Sequence, residues 1–367
     1  MRTLLPGLAA AVLTAAVVAT PAAAEGTVLH AGSPTAVPGS YIVKLKPGAT
    51  APAVTADRTF AGGFTARLGV REARRLAAHP AVAYVEQDQH VRANATQFNA
   101  PWGLDRIDQR SLPLDTTYSY TSTGATTSVY VVDTGIRTTH EEFGGRAFHG
   151  YDAVDRDNVA QDDNGHGTHV AGIIAGKTYG AGKAVDVYGV RVLNGSGSGT
   201  ISGVIAGVDW VAAHARKPAV ANFSLGGGAS TALDDAVRRL IASGVTVVVS
   251  AGSSGSGTVN TSPARVAEAI TVGATTQTDA RASSSNYGPG VDLFAPGVNI
   301  KSAWNSGDTA VNTLSGTSMA TAFASGVAAR YLQFTPTASP AQVHAELVRE
   351  ATPLPWGGKL LYWNPAR

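Results

Sequence analysis

Five short apolar runs separated by helical patterns constrain this 367-residue chain more than any other feature. Ser128–Asp133, Val187–Leu193, Val220–Ser224, Val245–Ser250 and Ala269–Gly273 are rich in β-branched residues and bounded by turn formers, the pattern of strands. Between them lie helical stripes. Val204, Ile205, Val208 and Val211 share one helix face. Thr231 is expected to cap a second helix, with Leu233, Ala236, Val237, Leu240 and Ile241 inward, Asp234 near the positive end and Gly244 at the stop. Ser339-Pro340 opens a third, with Val343 and Leu347 inward. Strands that are apolar along their whole length are buried on both faces, and alternation with helices makes their sheet parallel. The expected fold class is therefore α/β, three layers, with a mainly parallel sheet between helices. In such sheets ligands gather beyond the carboxyl ends of the strands.

The N-terminal quarter reads differently. Met1-Arg2, the apolar run Leu8–Ala19 broken only by Thr14, and the small-residue ending at Ala24 form a secretory signal peptide, residues 1–24. Gly26–Gly39 is a polar lead-in. Tyr41–Lys46 alternates like a half-buried strand and ends at Pro47-Gly48; Val70–His79 carries the stripe Val70, Ala73, Leu76, Ala77; Ala81–Glu86 is again strand-like. These make a small α+β unit of about 50 residues, marginal alone by surface-to-volume arithmetic.

Composition removes whole function classes. The chain has no cysteine, which excludes disulfides, thiolate metal sites and cysteine nucleophiles. Twenty-eight basic against 26 acidic residues leave no basic field for nucleic acid. No later run reaches the length that spans a bilayer, so the processed protein is expected to be released, secreted and extracellular, without a membrane span.

Three segments carry residues suited to chemistry. Asp133-Thr134-Gly135 ends a strand, so its carboxylate projects from a carboxyl end. Asn164-Gly165-His166-Gly167-Thr168-His169 leads into a small-residue helix with His166 at its start, and Ser315-Gly316-Thr317-Ser318 leads into another with Ser318 in its first turn. A serine hydroxyl attacks carbonyls only when a histidine takes its proton, and that histidine needs a carboxylate to fix its tautomer. A helix N-terminus adds free N–H groups where an oxyanion forms. No second Asp-Thr/Ser-Gly supports an aspartic protease, no His-Glu-x-x-His supports a zincin, and no Gly-x-Ser-x-Gly supports an α/β-hydrolase. His169 reads as a satisfied helix histidine.

The order Asp, His, Ser and the three segments resemble the signatures of secreted subtilisin-family (subtilase) serine endopeptidases, close to the proteinase K branch, from about Tyr41 to the C-terminus. The resemblance implies that Asp133 orients His166, that His166 is general base and then acid, and that Ser318 is the nucleophile of an acyl-enzyme mechanism. It implies that an extended peptide or protein substrate lies between Gly197-Ser198-Gly199 and Ser224-Leu225-Gly226, with Ser250-Ala251-Gly252 along the first specificity pocket and Ile201 at the fourth. It also implies an inhibitor-like propeptide within residues 25–94 (about 40–91), cleavage between Asn94 and Ala95, and a monomeric peptidase domain of residues 95–367. No cofactor is expected for catalysis. A structural calcium ion is expected at Asp292 with the carbonyls of Ala267 and Ala269, since oxygen-only donors suit calcium.

The sequence departs from the family pattern at two catalytic positions. Where the family places an asparagine that donates to the oxyanion, this chain has Ser253, leaving the Ser318 backbone N–H as the other donor. Loss of one such donor costs about 10²–10³ in kcat, a magnitude that comes from this family's own asparagine. After the nucleophile, Ala322-Phe323 replaces the usual Pro-His, which is expected to relax the segment holding Ser318. A slower enzyme follows; the alternative is a catalytically impaired subtilase-fold protein that binds peptides.

Overall fold

The computed structural model describes residues 24–33, 35–90 and 95–366. The signal segment up to residue 23, and Asn94 at the expected cleavage point, lie outside the described residues. The chain divides into two compact units, residues 1–91 and 92–367.

In the first unit, β1 (Val28–Leu29), β2 (Ala36–Leu45), β3 (Arg58–Phe60), β4 (Gly63–Arg67) and β5 (Val82–Gln89) form one sheet in the order β1-β5-β2-β4-β3. Tyr41 and Val43 of β2 alternate inward and meet Phe64, Ala66, Val85 and, from helix α1 (Val70–Ala77), Ala73 and Leu76. Val70, expected within the stripe, is instead exposed at the helix start. The lead-in is also more ordered than its polarity implies. Val28 pairs with Val85 and Ala36 with Gln89, long-range ladders that local patterning does not reveal.

The second unit runs β6 (Ala95–Phe98), α2 (Trp102–Ile107), β7 (Thr117–Tyr120), β8 (Ser128–Asp133), β9 (Ala147–Asp152), α3 (His166–Ala175), β10 (Asp186–Arg191), α4 (Ile201–His214) and β11 (Ala219–Phe223). It continues with β12 (Gly227–Gly228), α5 (Thr231–Ala242), β13 (Thr246–Ser250), β14 (Thr261–Ser262), β15 (Ile270–Thr275) and β16 (Leu293–Pro296). The hairpin β17 (Ile300–Ala303) and β18 (Val311–Leu314) precedes α6 (Thr317–Phe334), α7 (Pro340–Glu350), β19 (Thr352–Pro353) and β20 (Lys359–Leu360). Nine strands form the main sheet, β19-β20-β16-β15-β13-β11-β8-β10-β9, and every neighbouring pair is parallel except β19–β20.

Alternate residues of each central strand feed two separate cores. Val129, Val131, Val220 and Val248 pack with Val170 and Ile173 of α3, Val327 of α6 and Leu347 of α7. Tyr130, Val132, Ala221, Val247 and Val249 pack on the other face with Val208 of α4 and Val237 of α5. This is the expected three-layer α/β arrangement, and it explains why the strands read as unbroken apolar runs. One local expectation is corrected: Ser230, not Thr231, caps α5, its Oγ accepting the Leu233 N–H at 3.3 Å. Gly244, at φ +93°, does end that helix.

Candidate active site

The carboxyl ends of β8, β11 and β13 bring the three sequence segments to one edge of the sheet. β8 stops at Asp133, β11 runs out into Ser224–Gly226, and β13 ends at Ser250 before Gly252 and Ser253. Against this edge start α3, at His166, and α6, at Thr317.

Asp133 is fully buried, whereas the His166 side chain keeps 26% of its surface open, so the imidazole is reachable and the carboxylate is not. Asp133 Oδ1 accepts the Thr134 N–H at 2.7 Å and lies 2.8 Å from His166 Nδ1. Burial alone would lower the His166 pKa; the Asp133 charge and hydrogen bond, with Asp162 behind them, raise it above the ordinary histidine value. His169 behaves as a neutral core residue: burial, then the neighbouring His166 charge, lower it to about 4, and its Nε2 faces the Ile300 carbonyl at 3.1 Å.

Asp162 holds this turn together, and local patterning gives no sign of it. Its Oδ1 accepts from Thr134 Oγ1 at 2.8 Å, Asn164 N–H at 3.0 Å and Gly165 N–H at 2.8 Å; its Oδ2 accepts from Thr168 N–H at 2.9 Å and Thr168 Oγ1 at 2.6 Å. Thr134 Oγ1 in turn accepts the Gly167 N–H. One buried carboxylate thereby ties the residue after Asp133 to the residues flanking His166. The available signal was its position four residues before His166, in an acidic loop.

Ser318 is locked to the end of β11 from both sides. Its Oγ donates to the Ser224 carbonyl at 3.0 Å, and Ser224 Oγ donates to the Ser318 carbonyl at 2.9 Å. Asn222 Nδ2 donates to Ser224 Oγ, and Ser325 Oγ, two turns down α6, donates to Asn222 Oδ1. The nucleophile candidate thus rests on Ser224 rather than on His166. Ala322 and Phe323 are buried inside an unbroken α6, with Phe323 against Gly103. Without proline, the helix simply continues.

Ser253 Oγ accepts the Thr317 N–H at 3.1 Å and lies 3.1 Å from Thr317 Oγ1. Asn286, also unforeseen, is fully buried beside it. Its Oδ1 accepts the Ser254 and Ser256 N–H groups, and its Nδ2 donates to the carbonyl of buried Ala251. Gly252 needs its absent side chain twice over: φ is +100°, and a Cβ would lie 2.4 Å from Asn286 Nδ2.

Two hollows meet at Ser224–Gly228. One, about 620 Å³, is lined by His166, Leu193, Gly197, Ser198, Gly199 and Ile201 among others. The second, about 480 Å³, is lined by Ser250, Gly252, Ser253, Asn286, Thr317 and Ser318 and has no charged group in its wall. Gly197–Gly199 is an exposed loop rather than a strand, with Gly197 turning at φ +74° and its N–H donating to the Asn194 carbonyl. The Asn194 side chain shapes it by accepting the Ser196 and Ser198 N–H groups, and Asn164 Nδ2 ties it to the His166 loop through Gly195. A third hollow, about 950 Å³, has Ala267, Asp292, His344 and Trp356 in its wall. There Asp292 Oδ2 accepts the Thr271 N–H at 2.8 Å and Oδ1 lies 3.2 Å from His344 Nε2. Ala267 shares this wall and Ala269 does not, and among the described residues no cluster of three or more histidine or acidic side chains could hold a metal ion.

Comparison with known proteins gives concordant results. Residues 124–361 match the profile of the Subtilase family. The chain is 51% identical over 363 residues to an extracellular serine proteinase of Thermus sp. (strain Rt41A), covering 90% of this chain and 88% of that one. It is 55% identical over 296 residues to alkaline serine exoprotease A of Vibrio alginolyticus, covering 79% of this chain and 55% of that longer protein. Among solved structures, a cold-adapted subtilisin-like serine proteinase aligns with a TM-score of 0.70 at 56% identity, over 72% of this chain and 98% of its own.

Proposed function

The chain belongs to the subtilase family, and from that premise we propose that it is a secreted serine endopeptidase working through Asp133, His166 and Ser318. The observation that carries this reading is the 2.8 Å contact between buried Asp133 and open His166, which lines one of the two hollows that meet at Ser224, Ser318 lying in the wall of the other. In the resting enzyme the Ser318 hydroxyl sits on the Ser224 carbonyl. A χ1 change between staggered rotamers turns it toward His166, and catalytic hydrogen bonds often form only with substrate present.

An extended substrate lies between Gly197–Gly199 and Ser224–Gly226, adding its backbone to two edges. The neutral wall around Gly252 and Asn286 suits an uncharged side chain in the first pocket. Ser318 Oγ attacks the scissile carbonyl carbon, its proton passes to His166, and the carbonyl π pair becomes an oxyanion held by the Ser318 N–H and the Ser253 hydroxyl. Collapse breaks the C–N bond, and His166 returns the proton to the leaving amine. Water then repeats the sequence on the acyl-enzyme, His166 taking its proton and giving it to Ser318. The Asp133 charge steadies the imidazolium in both halves.

Residues 25–94 serve as an inhibitor-like propeptide removed by cleavage between Asn94 and Ala95, after the signal segment 1–24 directs export; the processed enzyme acts as a monomer. Asp292 with the Ala267 and Ala269 carbonyls would hold a calcium ion, which supplies a cross-link between these loops and no catalytic chemistry. The binding-only alternative finds no support among relatives named as proteinases. Intact mass and casein hydrolysis test the proposal: the wild type is expected to shed residues up to Asn94 and cleave casein, while Ser318→Ala does neither. Equal behaviour of the two in both assays would overturn it.

A further inference from the structure

The chain contains two Asn-Gly pairs, Asn164-Gly165 and Asn194-Gly195, and the fold treats them oppositely. An asparagine before glycine can lose its side-chain amide to attack by the glycine nitrogen, because no side chain blocks the approach to Cγ. At Asn164 the atoms this reaction needs are occupied. Gly165 is buried, and its N–H, the attacking group, donates to Asp162 Oδ1 at 2.8 Å. Asn164 Nδ2, the group that would leave, donates to the Gly195 carbonyl at 2.9 Å. Asn194 differs on both counts. Asn194 and Gly195 are exposed, and among the described residues neither the Gly195 N–H nor Asn194 Nδ2 has a hydrogen-bond partner. The Asn194 side-chain carbonyl is instead engaged twice, Oδ1 accepting the Ser196 N–H at 3.0 Å and the Ser198 N–H at 3.1 Å. Two N–H groups on one carbonyl oxygen draw charge from its carbon, and they stabilise the oxyanion that attack there creates.

We propose that Asn194 is a self-modification site at which the protein deamidates its own substrate-edge loop. The Gly195 nitrogen gives its proton to solvent and bonds to Asn194 Cγ. The bond from Cγ to Nδ2 breaks, and the amide nitrogen takes a proton from solvent and leaves as ammonia. Water then opens the cyclic imide. Opening at Cγ leaves aspartate; opening at the main-chain carbonyl leaves isoaspartate, in which the backbone runs through the former side chain. No oxidation state changes, and water is the only co-reactant.

The consequence follows from how much of the loop hangs on this residue. The Asn194 N–H donates to the Ser198 carbonyl at 2.9 Å, and its own carbonyl accepts the Gly197 N–H at 2.8 Å. Isoaspartate lengthens the backbone by one carbon and takes Oδ1 away from the Ser196 and Ser198 N–H groups, so the Gly197–Gly199 edge loses its frame. The effect on activity rests on the serine-endopeptidase reading above, in which that edge holds an extended substrate. Ageing of Asn194 then raises KM and leaves kcat nearly unchanged, because the edge binds ground state and transition state alike.

The test incubates folded Ser318→Ala protein in mildly alkaline buffer and follows the peptides spanning each Asn-Gly pair by mass. Exchange of NH₂ for OH marks modification, and labelling by an isoaspartyl methyltransferase marks isoaspartate. Modification at Asn194 should be at least about 10-fold faster than at Asn164. Gly195→Ala in the same background should slow it at least about 10-fold, because the added Cβ stands beside the closing ring. The neighbour that Cβ meets, Asp163 Oδ2 at 3.2 Å, ends a half-exposed side chain that can give way. In protein with Ser318 intact, KM for a chromogenic peptide is read during the same incubation, since KM does not depend on how much enzyme survives self-digestion. It should rise in step with isoaspartate at Asn194, about 3- to 10-fold at full conversion, and hold steady in Gly195→Ala. An unmodified Asn194, equal rates at the two pairs, undiminished modification in Gly195→Ala, or isoaspartate without a change in KM would each overturn the proposal. An active Ser318→Ala would instead overturn the endopeptidase reading and leave the mass result standing, so the two failures are distinguishable.

Discussion

Asp162→Asn probes the frame around His166 without touching a reacting atom. The side chain is almost fully buried and accepts five hydrogen bonds, three at Oδ1 and two at Oδ2. An amide keeps one acceptor oxygen. Oriented to retain the three bonds from Thr134, Asn164 and Gly165, it sets an NH₂ group against the two donors of Thr168. Two stranded buried donors cost about 1–3 kcal/mol each, so the variant should lose about 2–6 kcal/mol. At about 2–4 °C per kcal/mol for a domain of this size, Tm should fall by about 5–20 °C. The charge matters separately. Asp162 helps to raise the His166 pKa, so its removal lowers that pKa. Activity needs the neutral imidazole, and the acid limb of the pH–rate profile should therefore move to lower pH even as kcat falls. Thermal melts in a Ser318→Ala background, where self-digestion cannot set the midpoint, give the stability change; kcat/KM against pH in the active enzyme gives the limb. An unchanged Tm together with an unmoved limb would refute the reasoning.

Other substitutions test different parts of the account. Gly165 sits at φ +114°, where a Cβ would lie 2.4 Å from the Trp304 ring, so Gly165→Ala should cost about 1–3 kcal/mol and lower kcat by shifting His166; a normal melt with normal kcat would contradict this. Burial raises the Asp108 pKa to about 7, against a lowering hydrogen bond from Ser119. A raised folded-state value gives stability that is fully present below about 3.8 and lost as pH rises through about 7. The difference in Tm between Asp108→Asn and wild type should therefore move in favour of the variant from about pH 5 to about pH 9, and a pH-independent difference would count against it. Chelation with EDTA should lower Tm of the wild type and leave that of Asp292→Asn unchanged; equal responses would remove calcium from that site.

The sheet was legible because its strands solve a local problem. Val129 and Val131 face one core and Tyr130 and Val132 the other, and a strand buried on both sides must be apolar throughout. The three chemical segments were legible for a related reason: each couples a strand end or helix start to glycines that permit close approach. What escaped was set by distance along the chain. Asp162 meets Thr134 across 28 residues, Asn286 meets Ala251 across 35, and Ser253 meets Thr317 across 64. None of these pairs has a periodicity to betray it. Ser230 and Val70 illustrate the smaller errors: the first caps α5 one residue before the expected Thr231, and the second starts α1 where expected but faces solvent.

The central claim is that His166, backed by Asp133, activates Ser318 and no other hydroxyl. Covalent labelling with a fluorophosphonate, which esterifies a serine only where a base has made it nucleophilic, reads this most directly by peptide mass. The account predicts a single adduct on the peptide containing Ser318, absent from His166→Ala and strongly reduced in Asp133→Asn. An adduct on another residue, or equal labelling of Ser318 in His166→Ala, would contradict it.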